Sequence, residues 1–259
     1  MHDSIRTAIA ALTLGEDAQR HFDLAAEQIQ RALLAQRVPE YERAEYATHA
    51  ESARLVGGDY IDIFLSDDRL LFGLGDASGK SLAAALHALM LRFLVRGLMR
   101  SIGPDDLPSV VSHMNAVIAD DLQSDHFITF LLGAYDPGPR LLRTVNAGHE
   151  PPLILRRNAP SAETIDPHGM VLGVLPQQKY PCVETTLEPG DLVVCYTDGL
   201  TEATNARGEL FTIHKLCEYL ARHRNDSATD IANGIFTSVK AYAQGELRDD
   251  ATLFVMRAI

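Results

Sequence analysis

The spacing of apolar residues divides the chain into a helical N-terminal segment and a remainder of mixed pattern. Residues 17–38 carry a narrow apolar stripe on an otherwise charged helix, with Asp17 as its N-cap and Pro39 as its stop. Such a stripe suits packing against a partner helix, and it equally describes an ordinary amphipathic surface helix. A shorter helix is predicted over residues 4–14. The stripe consists of Phe22, Ala25, Ile29, Leu33 and Gln36.

After Glu40 the pattern changes to short strands and helices in blocks. The helix predicted over residues 82–100 is apolar on most faces, which is typical of a largely buried helix. Further helices are predicted over residues 105–122, 212–224 and 227–244. Strands in hairpin-like succession indicate an α+β fold with antiparallel sheets. The predicted strands are Tyr60–Phe64, Arg69–Gly75, Phe127–Tyr135, Leu141–Asn146, Leu153–Arg156, Val183–Leu187, Leu192–Thr197 and Thr252–Arg257.

The composition is that of a soluble globular protein, with 259 residues, 46% hydrophobic and 22% charged. The net charge of −12 argues against nucleic acid as a ligand and leaves acids that can bind cations. Three cysteines without metal-type spacing predict free thiols, and we expect a cytoplasmic protein. Without an apolar run of about 18 residues or a clear secretory signal, no membrane span is predicted.

Acidic residues stand beside glycines at the ends of several predicted strands. A strand end followed by glycine projects a side chain into a cleft and lets backbone approach a ligand. Carboxylates gathered from such ends are hard ligands suited to Mg²⁺ or Mn²⁺. Each Asp-Gly pair alone is above all a turn signal, but four acidic strand ends together are more persuasive. They are Gly57-Gly58-Asp59, Gly75-Asp76, Asp198-Gly199 and Asp249-Asp250, which follows no glycine but precedes the last strand.

Other catalytic arrangements fit less well. Gly79-Lys80-Ser81 ends like a phosphate-binding P-loop, but the glycine required five residues earlier is Leu74. The sequence has no Gly-x-Ser-x-Gly element and no His-Glu-x-x-His, which disfavours a serine hydrolase and a zinc hydrolase. His149, in a tight loop after a strand, is interpreted as a loop brace in preference to a catalytic group. His87, inside the apolar helix, is expected in the core.

Taken in order, these motifs resemble the metal-dependent protein phosphatases of the PPM family, in the bacterial branch of SpoIIE and RsbU. The resemblance covers about residues 45–258, and residues 17–38 are similar to the linker that precedes such domains. Residues 1–44 are therefore predicted as a helical linker or dimerisation segment, and residues 45–259 as the phosphatase domain. The motifs are Gly57–Asp62, Gly75–Lys80 with Ala83–Leu86, Asn146–His149 with Pro151-Pro152, Gly169-Met170 with Leu172-Gly173, Tyr196–Gly199 and Asp249–Thr252.

The resemblance implies an αββα sandwich of two antiparallel sheets, flanked by helices, with two Mn²⁺ or Mg²⁺ ions at one edge. It implies that Asp76 bridges both ions. Asp59 and the main-chain carbonyl of Ala77 would complete one metal site, and Asp198 and Asp249 the other. The reaction implied is hydrolysis of phosphoserine or phosphothreonine on a protein by a water that the ions activate.

Two positions, Ser78 and Ser81, depart from the family pattern, and Arg54 is a candidate match to it. Where many members have a histidine two residues after the bridging aspartate, this chain has Ser78, so water is expected to protonate the leaving group. Arg54, five residues before Asp59, is the candidate that binds the phosphate; an ordinary surface arginine is the alternative. Ser81 replaces the glycine usual after Gly-Lys, which could alter the start of the following helix without removing a ligand.

The sequence therefore predicts a serine/threonine protein phosphatase acting on a phosphoprotein, often in this branch an anti-anti-sigma protein of STAS fold. An upstream regulator or sensor domain and a homodimer through the N-terminal helix are also expected. Two alternatives stay open, a catalytically silent pseudophosphatase that only binds its partner and a hydrolase of small phosphate esters. A nucleotide kinase ranks below both, because its P-loop spacing fails.

Overall fold

The computed structural model of the protein describes residues 39–79, 82–122, 126–166 and 169–259, together with positions 25 and 28. The helices predicted over residues 4–14 and 17–38 lie outside the described residues, apart from Ala25 and Gln28, which are helical. The division between a segment 1–44 and a domain 45–259 stays a prediction.

The described residues form ten strands and five helices, and the helices come in two groups between strands. The strands are β1 (Ala44–Glu51), β2 (Asp59–Ser66), β3 (Arg69–Ala77), β4 (Ile128–Asp136), β5 (Leu141–Ala147), β6 (Leu153–Leu155), β7 (Glu163–Thr164), β8 (Val183–Thr186), β9 (Leu192–Tyr196) and β10 (Ala251–Ala258). The helices are α1 (Leu82–Ile102), α2 (Leu107–Asp121), α3 (Asp198–Thr201), α4 (Thr212–Arg222) and α5 (Ala228–Tyr242).

Two five-stranded antiparallel sheets form the centre of the molecule. One has the order β1-β10-β9-β6-β7 and the other β2-β3-β4-β5-β8. Along each strand, every second side chain points into the layer between the two sheets, where Phe72 stacks on Phe254 with ring centroids 4.4 Å apart. The side chains between them point outward and pack on helices. Helices α1 and α2 cover the second sheet, and α3, α4 and α5 cover the first. The predicted αββα sandwich is confirmed.

Helix α1 is buried on one side only, so the prediction of a largely buried helix was wrong in part. Ala88, Leu91 and Val95 pack against the sheet, whereas Leu86 and Phe93 are exposed. Among the described residues this is the one helix long and apolar enough to cross a membrane. Its packing on the β2–β3 hairpin explains much of that apolar character, as in the core helix of a globular domain.

A buried ion network fixes the position of α1 on β2. The carboxylate of Asp62 is fully buried and accepts hydrogen bonds from Arg92 Nη1 at 3.0 Å and from Arg96 Nε at 2.6 Å. Arg96 also lies over the ring of Phe64, 4.7 Å from its centroid. The network therefore ties two successive turns of α1 to one buried carboxylate of β2.

Three elements were missed from the sequence. Strand β1 pairs along its whole length with β10, from Ala44 opposite Ala258 to Glu51 opposite Ala251. Its residues alternate without large aliphatic side chains, so periodicity alone does not reveal it. The two-residue strand β7 and the four-residue helix α3 are too short to give a periodic signal. Ala44, placed with the N-terminal segment by the sequence, is the first residue of this strand.

Candidate active site

Two carboxylates meet where β2 begins and β3 ends. Asp59 and Asp76 are directly opposite residues of the antiparallel β2–β3 pair and therefore lie on the same face, toward the other sheet. The residue before Asp59 is Gly58, and a side chain there would have no room. A Cβ atom at this position would lie 2.8 Å from the carbonyl oxygen of Ala77. That carbonyl and the two carboxylates thus share one edge of the sandwich.

Two threonines of the opposite sheet hold Asp59. Its Oδ2 accepts hydrogen bonds from Thr197 Oγ1 at 2.8 Å and from Thr252 Oγ1 at 2.6 Å. The Thr197 hydroxyl in turn accepts the backbone N–H of Thr252 at 2.8 Å. Burial raises the pKa of Asp59 well above its ordinary value, the nearby Asp76 raises it further, and the threonine hydrogen bonds oppose the shift. The carboxylate of Asp59, on the second sheet, is therefore oriented by two hydroxyl groups of the first sheet and its strand ends.

A second pair of acids comes from the other sheet. Asp198 follows β9 and begins α3, and Asp249 lies two residues before β10. Burial raises the pKa of Asp198 to about 6, with added contributions from Glu202, Asp249 and Glu150. Gly199 is required here, because a Cβ atom would lie 2.0 Å from the backbone carbonyl oxygen of Asp250. Because Gly199 lies so close to Asp250, the residues that follow β9 are in contact with those that precede β10.

Asp250, beside Asp249 in sequence, has a different position. Its carboxylate accepts the backbone N–H groups of Ala53 and Gly58, each at 2.8 Å, and so braces the loop that leads into β2. Arg54, the predicted phosphate ligand, is an exposed residue of this same loop. Asp250 is therefore engaged with the loop. Its two hydrogen bonds hold the loop that carries Arg54 next to the start of β10.

Thr129 extends the row of Asp59 and Asp76 to the next strand. It lies directly opposite Asp76 on β4, and its hydroxyl is 2.9 Å from Nδ1 of His149. Burial lowers the pKa of His149 to about 4, so the imidazole is neutral at pH 7. The Asn146 amide closes the loop by donating to the His149 carbonyl at 2.9 Å and accepting its N–H at 2.7 Å. These contacts agree with a loop-bracing histidine, and sequence reasoning missed Thr129, Thr197 and Thr252.

His87 is not the core residue expected from the sequence. It is partly exposed and meets the ring of His126 edge-on, with centroids 5.8 Å apart. Burial and the neighbouring His126 lower its pKa. The helix rotation that buries Ala88 and Leu91 turns His87 toward the start of β4.

The acidic residues fit a site for divalent cations. They form two pairs, Asp59 with Asp76 and Asp198 with Asp249, and in each pair one charge raises the pKa of the other acid. Carboxylate and carbonyl oxygens are the donors that Mg²⁺ and Mn²⁺ prefer. In the described residues, no group of three or more acidic, histidine or cysteine side chains is already close enough to enclose an ion.

The family model described as stage II sporulation protein E (SpoIIE) matches residues 66–259. The chain belongs to the SpoIIE family. The phosphoserine phosphatase RsbU of Bacillus subtilis (strain 168) is 26% identical to this SpoIIE-family chain over 245 residues, which cover 93% of the chain and 71% of RsbU.

Solved structures share the fold of this SpoIIE-family chain. The SiaA-PP2C domain of Pseudomonas aeruginosa superimposes with a TM-score of 0.82 at 19% identity, covering 96% of this chain and all of that domain. The catalytic domain of the serine threonine protein phosphatase PstP, solved with two manganese ions, gives a TM-score of 0.62 at 14% identity, covering 83% and 98%. The chain spans 61% and 64% of two longer structural neighbours.

These similarities confirm the family and the fold predicted from the motifs. The family match and the similarity to RsbU also bear out the predicted class of enzyme, a protein serine/threonine phosphatase.

Proposed function

We propose that this chain hydrolyses phosphoserine or phosphothreonine on a partner protein, using two Mn²⁺ or Mg²⁺ ions at the edge of the sandwich. The observation that carries this proposal is the placement of Asp59 and Asp76 opposite one another, beside the strand ends that bring Asp198 and Asp249. Within each of these two pairs the charges oppose one another, and bound cations would allow all four carboxylates to stay ionised. The manganese-bound structural neighbour PstP supports the same choice of metal.

Each acid has a separate task in this proposal. Asp76, at the centre of the row, would bridge both ions. Asp59 and the Ala77 carbonyl would complete one site, and Asp198 and Asp249 the other. When bound, two such ions supply Lewis-acid charge and a water of lowered pKa.

The residues of the chain then orient the reactants. Thr197 and Thr252 keep Asp59 in one rotamer, so its lone pairs point in a fixed direction before any ligand arrives. Arg54, on the braced loop, would bind the phosphoryl oxygens in a bidentate manner. Ser78 offers no proton donor comparable to an imidazolium, so we expect water to protonate the leaving serine oxygen.

Two alternative functions are separated by specific features. A pseudophosphatase is disfavoured because all four acids are present and share one edge of the fold. A hydrolase of small phosphate esters would use the same chemistry at the ions, so the surfaces around the site distinguish the two functions. The relationship to RsbU, named a phosphoserine phosphatase, favours a protein substrate.

The finer proposals concern partners. We infer a regulator of the anti-anti-sigma type, with a STAS fold, as the substrate, and an upstream sensor or regulator that controls activity. A homodimer formed through the helix at residues 17–38, and a cytoplasmic location, belong to the same proposal. The narrow apolar stripe of that helix and the sequence relationship to RsbU support them.

The decisive test is hydrolysis of 4-nitrophenyl phosphate in EDTA, Mg²⁺ or Mn²⁺, by the unmodified chain and by Asp76→Asn. Mn²⁺-dependent hydrolysis that falls at least about 1,000-fold in the variant would support the proposal. Asp68→Asn, an exposed acid at the far end of the same hairpin, is the matched control. If no metal gives activity, calorimetry with Mn²⁺ distinguishes an enzyme that awaits its activator from a protein that binds no metal.

A further inference from the structure

Four exposed apolar side chains lie in loops beside the candidate metal site. Phe127, Met170, Val174 and Leu175 are 42%, 44%, 49% and 48% exposed. We call these four residues the apolar rim. Exposed large apolar residues are ordinary when scattered, but a group at the edge of a catalytic cleft marks an interaction surface.

Strand register places the rim next to the site. Ile128 on β4 pairs on one side with Ala77 and on the other with Leu172, so these residues form a row across neighbouring strands. With strands about 4.8 Å apart, Leu172 lies two strand spacings from Ala77. Phe127 is closer still, because its N–H donates to Ser78 Oγ at 2.9 Å and its carbonyl accepts the Ser78 N–H at 3.0 Å.

The loop that carries Val174 and Leu175 is built to display them. Asn115 of α2 is fully buried, and its Nδ2 donates to the carbonyls of Leu175 at 2.7 Å and Pro176 at 3.3 Å. Its Oδ1 accepts the N–H of Gly173 at 3.0 Å. Three hydrogen bonds from one buried amide hold the backbone of the turn inward. The two adjacent apolar side chains are therefore held outward.

Charge makes apolar docking the favourable way to bind a phosphoprotein here. The chain carries a net charge of −12, and a phosphoserine adds about two negative charges to its carrier. Long-range attraction therefore contributes little to bringing the two together. Burial of apolar surface beside the cleft is indifferent to charge and can provide the missing affinity.

We propose that the apolar rim is the docking surface for the phosphoprotein substrate, which presents apolar side chains next to its phosphoserine. This inference rests on the proposed phosphatase function. It identifies the substrate as a protein with an apolar patch around the modified serine, whereas a small phosphate ester would use the ions without the rim.

The test uses two labelled phosphoserine peptides of equal length and charge, with leucines or alanines flanking the phosphoserine. We expect the unmodified chain with Mn²⁺ to show a kcat/KM about tenfold higher for the leucine peptide. In Val174→Ser/Leu175→Ser the two peptides should become equal. Hydrolysis of 4-nitrophenyl phosphate should stay unchanged, because these side chains touch no ligand of the ions.

Leu65→Ser is the matched control, since Leu65 is 42% exposed and six residues, about 20 Å, along β2 from Asp59. It should keep the tenfold preference. Equal rates for both peptides in the unmodified chain, or a preference that survives in the double variant, would overturn the docking proposal.

Fluorescence anisotropy in EDTA separates the docking proposal from the phosphatase function. Binding of the two peptides there measures docking without turnover, and the leucine peptide should again bind about tenfold more tightly. A chain that keeps this preference but neither hydrolyses 4-nitrophenyl phosphate nor binds Mn²⁺ in calorimetry would contradict the catalytic proposal alone. Equal binding of the two peptides contradicts the rim.

Discussion

Asp59 and Asp76 face each other across the β2–β3 pair, so the strand register places two carboxylates side by side. Like charges directly opposite one another weaken a strand pair. Nothing in the hairpin requires this arrangement, since either position would accept a neutral residue of the same shape. The fold therefore holds a local repulsion that a bound cation would relieve.

Metal should stabilise the chain through this pair. In EDTA we expect Asp76→Asn to raise the free energy of unfolding by about 0.5–1 kcal/mol, because the repulsion is removed. With Mn²⁺ at 100 times its Kd, the unmodified chain should gain about 2.7 kcal/mol and the variant almost nothing. Urea denaturation measures both. A variant that keeps the full Mn²⁺ gain would place the ions elsewhere.

The stability of the metal-free chain should fall as the pH rises. The pKa of Asp198 is about 6 in the folded chain, above its ordinary value of 3.8, so folding favours the protonated acid. Its contribution is complete below pH 4 and disappears as the pH passes 6. In EDTA, between pH 5 and 7, we expect a loss of about 1 kcal/mol relative to Asp198→Asn, a value reduced because water reaches the carboxylate. Parallel stability curves for the two proteins would refute this prediction.

The threonine hydroxyls should matter for metal affinity as well as stability. Thr252→Val removes the 2.6 Å hydrogen bond to Asp59 while keeping the shape of the side chain. We expect a loss of about 1–2 kcal/mol of stability and about tenfold weaker Mn²⁺ binding by calorimetry. Thr237→Val on α5, whose hydroxyl donates to the Asn233 carbonyl, is the control and should leave Mn²⁺ affinity unchanged.

Two glycine substitutions should have opposite signs. Gly199→Ala forces a methyl group into the carbonyl oxygen of Asp250 and should cost about 1–3 kcal/mol or more, with weaker Mn²⁺ binding. Gly97→Ala, on an exposed turn of α1 with no atom within 4 Å of the new methyl group, should stabilise by about 0.5–1 kcal/mol. Thermal unfolding compares them directly. A stabilised Gly199→Ala variant would show that the two strand ends are not in tight contact.

The buried ion network should be costly to break. Asp62→Ala leaves Arg92 and Arg96 beside a cavity without their carboxylate and should lower stability by about 3–5 kcal/mol. Glu218→Ala removes a 2.8 Å ion pair with Arg222 on the exposed face of α4 and should cost less than about 1 kcal/mol. Chemical denaturation ranks the two. Similar losses would mean that α1 is positioned by its apolar contacts alone.

The sequence was most informative for two kinds of feature, acidic residues at strand ends and helices with a continuous apolar stripe. Asp59, Asp76, Asp198 and Asp249 became candidates because each carboxylate stands at a strand end, and the family resemblance implied that they share one metal site. Helices α4 and α5 were predicted within two residues at each end, since their apolar stripes are continuous. The roles proposed for these acids, and for Arg54, await the experiments above.

Long-range partners were beyond reach. Nothing near Thr252 in the sequence indicates that its hydroxyl reaches Asp59, 193 residues away. Asp250 and Asp249 look equivalent as neighbours, and only the packing of the loop at Ala53 and Gly58 distinguishes them. Strand β1 gave no signal, because its partner β10 supplies the apolar residues for both. Such features depend on which strands become neighbours, which local patterns do not encode.

The order of strands in the first sheet has a consequence for synthesis on the ribosome. Strand β10 lies between β1 and β9, so it must insert between two strands that are made before it. Asp249 and Thr252 arrive with it, and until then Asp59 lacks one of its two hydroxyl partners. We therefore expect a nascent chain to lack phosphatase activity until β10 has inserted into the first sheet.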